Sequence, residues 1–104
     1  MVNFSSALLA SAFLSMQAAA TKDGKCRALV LSGGSNNGAW ETGVIWGLTH
    51  YGNAEDFAWD VVSGVSAGAI NTGGIATWAT GTEYEMTQWL SDKWTTITND
   101  VIWT

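Results

Sequence analysis

Apolar positions in this chain fall into short blocks, each closed by glycine or a polar gap, and the spacing within the blocks changes along the sequence. Ala28-Leu29-Val30-Leu31 is a continuous apolar run with charge before it and glycine soon after it. Such a run predicts a strand buried on both faces, as in a parallel sheet covered by helices. Residues 32–38 then read as a tight glycine-rich loop. From Ala39 the spacing becomes helical: Trp40, Val44, Leu48 and Tyr51 fall near one face, with Gly43 and Gly47 beside them. Glycine inside a helix costs roughly 1 kcal/mol against alanine. Two of them predict a helix packed very close to a sheet, and Gly52 is placed to end it as a C′ residue.

The pattern repeats with variation. Residues 54–58 form a polar connection and 59–63 a second strand. The segment after Ser66 is filled with Ala67, Gly68, Ala69, Gly73, Gly74, Ala76 and Ala79. It predicts a central, closely surrounded helix running to Thr80 and stopped by Gly81. Thr82 and Glu85 have the spacing of a capping box. Met86, Trp89, Leu90 and Trp94 then give the next helix an apolar face at i, i+3, i+4 and i+8. Asp92, Lys93 and the threonine-rich end fall outside that face, and the chain closes on the apolar Val101, Ile102 and Trp103.

Strand, loop, helix, strand, turn, helix, helix is an α/β order, and it implies a parallel sheet with helices on both faces. Two strands cannot complete such a sheet. The expectation is that residues 21–104 are the first part of a larger domain and do not fold cooperatively alone. Residues 1–20 read as a secretory signal: an uncharged apolar stretch over 4–16, then Ala18-Ala19-Ala20 ahead of a cleavage point before Thr21. Met1-Val2-Asn3 lacks the usual Lys or Arg, so an uncleaved anchor or amphipathic arm is the rival. A cleaved signal implies a secreted or vacuolar (lysosomal) protein.

Composition narrows the partners. The net charge is −5 with only four Lys plus Arg, which excludes a surface built to neutralise nucleic-acid phosphate. It also disfavours electrostatic docking to anionic lipid. At 47% apolar, the 104 residues hold enough hydrophobic side chain for one small core. The seven tryptophans read mainly as core or half-buried anchors, with a lipid-interface role as the alternative for some. Cys26 is the only cysteine and His50 the only histidine, so neither an internal disulfide nor a Cys/His metal site is expected.

The chemistry centres on Gly64-Val65-Ser66-Ala67-Gly68, a G-x-S-x-G that follows a predicted strand and opens a predicted helix. In a nucleophile elbow this context holds a serine on a sharp strained turn, with glycines where a Cβ would strike neighbouring backbone. The bland alternative is a turn of small residues. Ser66 would sit at a helix N-terminus, where free amides and the helix dipole favour developing negative charge. Backbone amides of Gly33, Gly34 and Ser35 are candidate oxyanion donors, because their loop leaves the same end of a parallel sheet. That loop matches neither a nucleotide P-loop nor the dinucleotide glycine pattern. A base is harder to find. An α/β-hydrolase places its histidine after the serine, and none follows Ser66. His50 falls near a helix end away from the elbow, Asp60 on the strand leading into it, and Asp92 and Asp100 in exposed segments.

The Ala28–Leu31 run with Ser32-Gly33-Gly34, the Gly38-Ala39-Trp40 helix start, and residues 61–71 around Ser66 together resemble the patatin-like phospholipases. The likeness extends over residues 27–103. It implies a three-layer α/β/α fold with a parallel sheet, of which this chain would be the N-terminal portion. It implies a lipid acyl hydrolase acting on fatty-acyl esters, including lipid at a membrane surface, with a Ser-Asp dyad and no metal or organic cofactor. Ser66 would be the nucleophile, the loop carrying Gly33, Gly34 and Ser35 the oxyanion hole, and Gly38, Gly64 and Gly68 the motif glycines. The family loop reads G-G-G-x-[KR]-G; here Ser35 stands at the third glycine and Asn37 at the basic position. The family aspartate lies in a later Asp-Gly motif, and the one Asp-Gly here, Asp23-Gly24, precedes the first strand. The aspartate base is therefore expected beyond Thr104. The competing expectation is a truncated or degenerate relative that keeps the fold as a non-catalytic binding or interaction module.

Overall fold

The structure, a computed structural model, describes residues 23–102; the expected leader over 1–20 and the last two residues lie outside them. Two four-residue strands, β1 (Ala28–Leu31) and β2 (Val61–Gly64), pair in parallel, with Ala28 opposite Val61 and Leu31 opposite Gly64. Between them run helix α1 (Asn37–Tyr51) and a 3-10 turn (Ala54–Phe57). After β2 come α2 (Ala67–Ile75), α3 (Glu83–Thr96) and the short α4 (Asn99–Ile102). This is the expected α/β class, with strands and helices alternating up to Ser66.

β2 begins later than the predicted 59–63 because Asp60 ties the strand ends instead of joining the ladder. Its Oδ2 accepts from the Arg27 amide at 2.9 Å, and its own amide donates to the Arg27 carbonyl at 2.9 Å. That reciprocal link sets the register of the pair.

The core is Leu31 with Ile45 of α1, Ile75 of α2, and Met86 and Leu90 of α3. Leu29, Val62 and Trp59, Trp78, Trp89 and Trp94 pack against it. All of this lies on one face of the strand pair. The other face carries Val30, 75% exposed, and Val61, 51% exposed. Burial of both faces is therefore not found among the described residues, and the strands alternate instead.

α1 differs most from its prediction. It starts at Asn37, two residues early, because amides of Asn37, Gly38 and Ala39 donate to the carbonyls of Gly34, Ser35 and Asn36 and wind the loop directly into the helix. It also buries the opposite side from the one its apolar spacing suggests. Trp40, Val44, Leu48 and Tyr51 are exposed, while Gly38, Glu41, Thr42, Ile45 and Thr49 are buried. The polar members of that set are satisfied internally. Thr42 Oγ1 donates to Gly38 O at 3.0 Å, and Thr49 Oγ1 lies 2.9 Å from Thr87 Oγ1 of α3. Gly43 and Gly47 do not mark a close approach, since a Cβ at either would meet nothing within 4 Å. Gly52 is extended at φ −90°, so it is not a left-handed cap; a Cβ there would lie 2.5 Å from Leu48 O and overlap the Phe57 ring.

α2 stops at Ile75 and not at Thr80. Beyond it, Thr77 N donates to Gly74 O and Trp78 N to Ile75 O, a tightening into three-residue turns that swings Trp78 against Trp89 at 6.0 Å between ring centroids. The predicted capping box does not form. Thr82 Oγ1 donates back to Ala79 O at 2.6 Å, and the Glu83 carboxylate, not Glu85, accepts from the Gly81 amide. The apolar face of α3 is as expected, with Met86 and Leu90 almost fully buried.

Candidate active site

Because β1 and β2 are parallel and end in register, the segments that follow them leave the same edge of the sheet. Crevices outside the carboxyl ends of strands are where α/β sheets bind ligands. The turn after β2 places Ser66 at φ 55°, ψ −121°. This is a backbone conformation that costs a non-glycine residue on the order of 1–3 kcal/mol and that clusters at functional sites. Ser66 is exposed and immediately precedes α2, whose first-turn amides have no partner within the helix.

The flanking glycines have a steric cause. A Cβ at Gly64 would overlap the Gly68 carbonyl and come within 2.8 Å of the Ala69 nitrogen. One at Gly68 would lie 2.5 Å from Leu31 O and 2.6 Å from Ser32 O. The start of α2 is thus pressed against the carboxyl end of β1, and only hydrogen fits at either position.

The loop after β1 lies directly beside the serine. A methyl group built on Gly33 would sit 3.1 Å from Ser66 Cβ and 3.8 Å from Ser66 Oγ. Gly34 abuts the Asn37 side chain, which folds back so that a Cβ at 34 would be 3.0 Å from Asn37 Nδ2. Ser35 adopts φ 52°, the left-handed region. Gly38 closes the loop against Trp94 and Ala67: a Cβ there would come within 2.5 Å of the indole and 3.1 Å of Ala67 Cβ. No acceptor among the described residues takes the amides of Gly33, Gly34 or Ser35.

Residues 29–102 match the sequence profile of the family described as Patatin-like phospholipase. The chain belongs to this family. Comparison with curated proteins and with solved structures returns no match in either case. Membership brings a lipid hydrolase family with it, and lipid as the class of substrate. The fold described above is an α/β fold consistent with part of a patatin-like domain.

Four groups considered as bases stand apart from the patatin-like elbow. His50 is near the far end of α1, about 20 Å along the helix axis from Asn37 at 1.5 Å per residue. It is not a free surface side chain, since its ring stacks between Trp46 and Tyr84 at centroid distances of 4.1 and 3.9 Å. Asp60 precedes β2, at the opposite end of the strand from Ser66, and is bonded to Arg27. Asp92 and Asp100 are exposed on α3 and α4. Among the described residues no group of three His, Cys, Asp or Glu is placed to hold a metal ion. A pocket of about 180 Å³ between Trp59, Val62, Ile75, Trp78 and Met86 does not include Ser66 in its lining.

Beneath the serine and the loop lies a buried polar cluster that sequence reasoning missed. Asn71 of α2 is fully buried. Its Nδ2 donates to Gly38 O at 2.9 Å and to Glu41 Oε2 at 3.1 Å, while its Oδ1 accepts from Trp94 Nε1 at 2.7 Å. Glu41 Oε1 in turn accepts from Ser32 Oγ at 3.4 Å. The available signals were small ones: the one acid of the helix after the glycine-rich loop, and one Asn in a helix of small residues.

Proposed function

We propose that this patatin-like chain carries the nucleophile and oxyanion half of a lipid acyl hydrolase site. Ser66 Oγ attacks the carbonyl carbon of a fatty-acyl ester. Amides of Gly33, Gly34 and Ser35, with the Ala67 amide at the start of α2, hold the oxyanion of the tetrahedral intermediate. The serine proton passes to an aspartate outside residues 1–104, which then returns it to the leaving alcohol. Water repeats the sequence to release the fatty acid. The observation that carries this reading is the contact of Gly33 with Ser66, together with the positive φ of Ser66. Gly33, whose amide has no acceptor among the described residues, lies against a serine at a helix N-terminus, and this supports an oxyanion role for its loop. Ser66→Ala in the full-length protein should lower kcat for a fatty-acyl ester at least about 10³-fold, the scale on which loss of an activated nucleophile registers. An unchanged kcat would refute the assignment.

A second reading has its own observation. Ser35 takes a left-handed conformation that glycine adopts freely, and Asn37 lies over Gly34. A loop altered in this way suits a relative that binds lipid or a protein partner without turnover. Retained binding to phosphatidylcholine vesicles with no ester hydrolysis by the wild-type protein would favour it. The secreted or vacuolar location rests on residues 1–20 alone. A mature protein beginning at Thr21 would support it, and one retaining Met1 would not.

A further inference from the structure

We propose that Glu41 and Asn71 are positioning residues that hold the oxyanion loop against Ser66. The proposal rests on the reading of Ser66 as the nucleophile. Both side chains are buried, Asn71 at 0% and Glu41 at 8% exposure, and neither has been given a role by the motif. The Trp94 indole can only donate. Its 2.7 Å bond to Asn71 Oδ1 therefore turns the Asn71 amide nitrogen toward the loop. There Nδ2 reaches Gly38 O, where the loop ends, and Glu41 Oε2. The other Glu41 oxygen reaches Ser32 Oγ, where the loop begins. One continuous path, Ser32 to Glu41 to Asn71 to Gly38, thus brackets the five residues between, and Asn71 stands five positions after Ser66, on the helix that Ser66 opens. Movement of the serine helix and movement of the loop are coupled through that amide.

The chemistry of Glu41 argues that this path is not there for stability alone. No cation among the described residues pairs with Glu41, and a buried carboxylate held only by neutral donors is costly. Methionine, of similar length, removes that cost but leaves one Asn71 N–H and the Ser32 hydroxyl without the Glu41 acceptor. A purely structural role would therefore move the thermal midpoint and leave the rates alone. Glutamine, by contrast, can keep the path: its oxygen accepts from Asn71 Nδ2, and its nitrogen donates to Ser32 Oγ, which accepts as readily as it donates.

The test uses the full-length protein, the rate of labelling by a fluorophosphonate, and kcat and KM on a nitrophenyl butyrate ester. Glu41→Met should slow labelling and kcat by 10-fold or more, with KM within twofold, whichever way the thermal midpoint moves. Glu41→Gln should restore both rates to within threefold of wild type. Thr87→Val, which removes a buried hydroxyl between α1 and α3 away from the site, should lower the midpoint and leave the rates unchanged. Glu41→Met reacting at the wild-type rate would overturn the proposal, as would a loss no greater than that of Thr87→Val. Should Glu41→Met not fold, Ser32→Ala decides: a 3- to 10-fold slower kcat supports the path, and a wild-type kcat overturns it. Ser66→Ala separates the two levels. If it abolishes labelling while Glu41→Met reacts normally, only this inference falls; if it labels like wild type, the nucleophile reading falls and takes this one with it.

Discussion

Ser35 and the two elbow glycines give opposite tests of one idea, that backbone geometry around Ser66 is set by what a Cβ can tolerate. Ser35 sits at φ 52°, where an L-residue with a Cβ is disfavoured by roughly 1–2 kcal/mol. Ser35→Gly should therefore stabilise the full-length protein by about 1 kcal/mol in a denaturant titration, and an unchanged midpoint would show that the loop relaxes. Gly68→Ala goes the other way. Its methyl would lie 2.5 Å from the Leu31 carbonyl oxygen, and overpacking against rigid backbone costs about 1–3 kcal/mol or more. That loss should appear in the same titration, with labelling of Ser66 slowed as well. The glycines of the elbow were legible in the sequence because their spacing carries the steric demand. Asn71 and Glu41 were not, because a buried polar cluster has no period and its members come from three separate helices and a loop.

At the scale of elements, α1 shows where pattern reading fails. Its apolar spacing is real, but Trp40 and Tyr51 face outward at 71% and 83% exposure while Ile45, at 2%, is the residue in the core. The buried side is chosen by Glu41, Thr42 and Thr49, whose hydrogen bonds are made inside the fold. Hydropathy counts them as surface residues. Ile45→Ala should cost about 2–5 kcal/mol, whereas Val44→Ala, one residue away, should stay within about 0.5 kcal/mol. Equal losses at the two positions would mean that the helix is rotated relative to this description. β1 was readable to the residue, because four apolar residues between charge and glycine leave little choice. The end of α2 was not: nothing in Ala76 or Ala79 opposes a helix, and the turn there is made by Trp78 finding Trp89.

For the whole molecule, the decisive feature is a parallel strand pair that the described residues cover on one face. Parallel sheets are stable mainly when both faces are covered, and here Val30 and Val61 face outward. Residues 21–104 expressed alone should accordingly show a broad thermal transition and bind a hydrophobic dye; a sharp, cooperative transition would count against that. The family membership and the α/β class followed from two motifs in order and from the alternation of elements. The open face could not be foreseen, since a run of four apolar residues reads the same whether one side or both are covered.

The central claim is that Ser66 is the nucleophile of an acyl hydrolase site. The measurement that meets it most directly is peptide mapping of the full-length protein after reaction with a fluorophosphonate. The account predicts one phosphonyl adduct, carried by the serine between Val65 and Ala67 and lost on prior denaturation. An adduct on any other serine, or a native protein that takes up none, would contradict it.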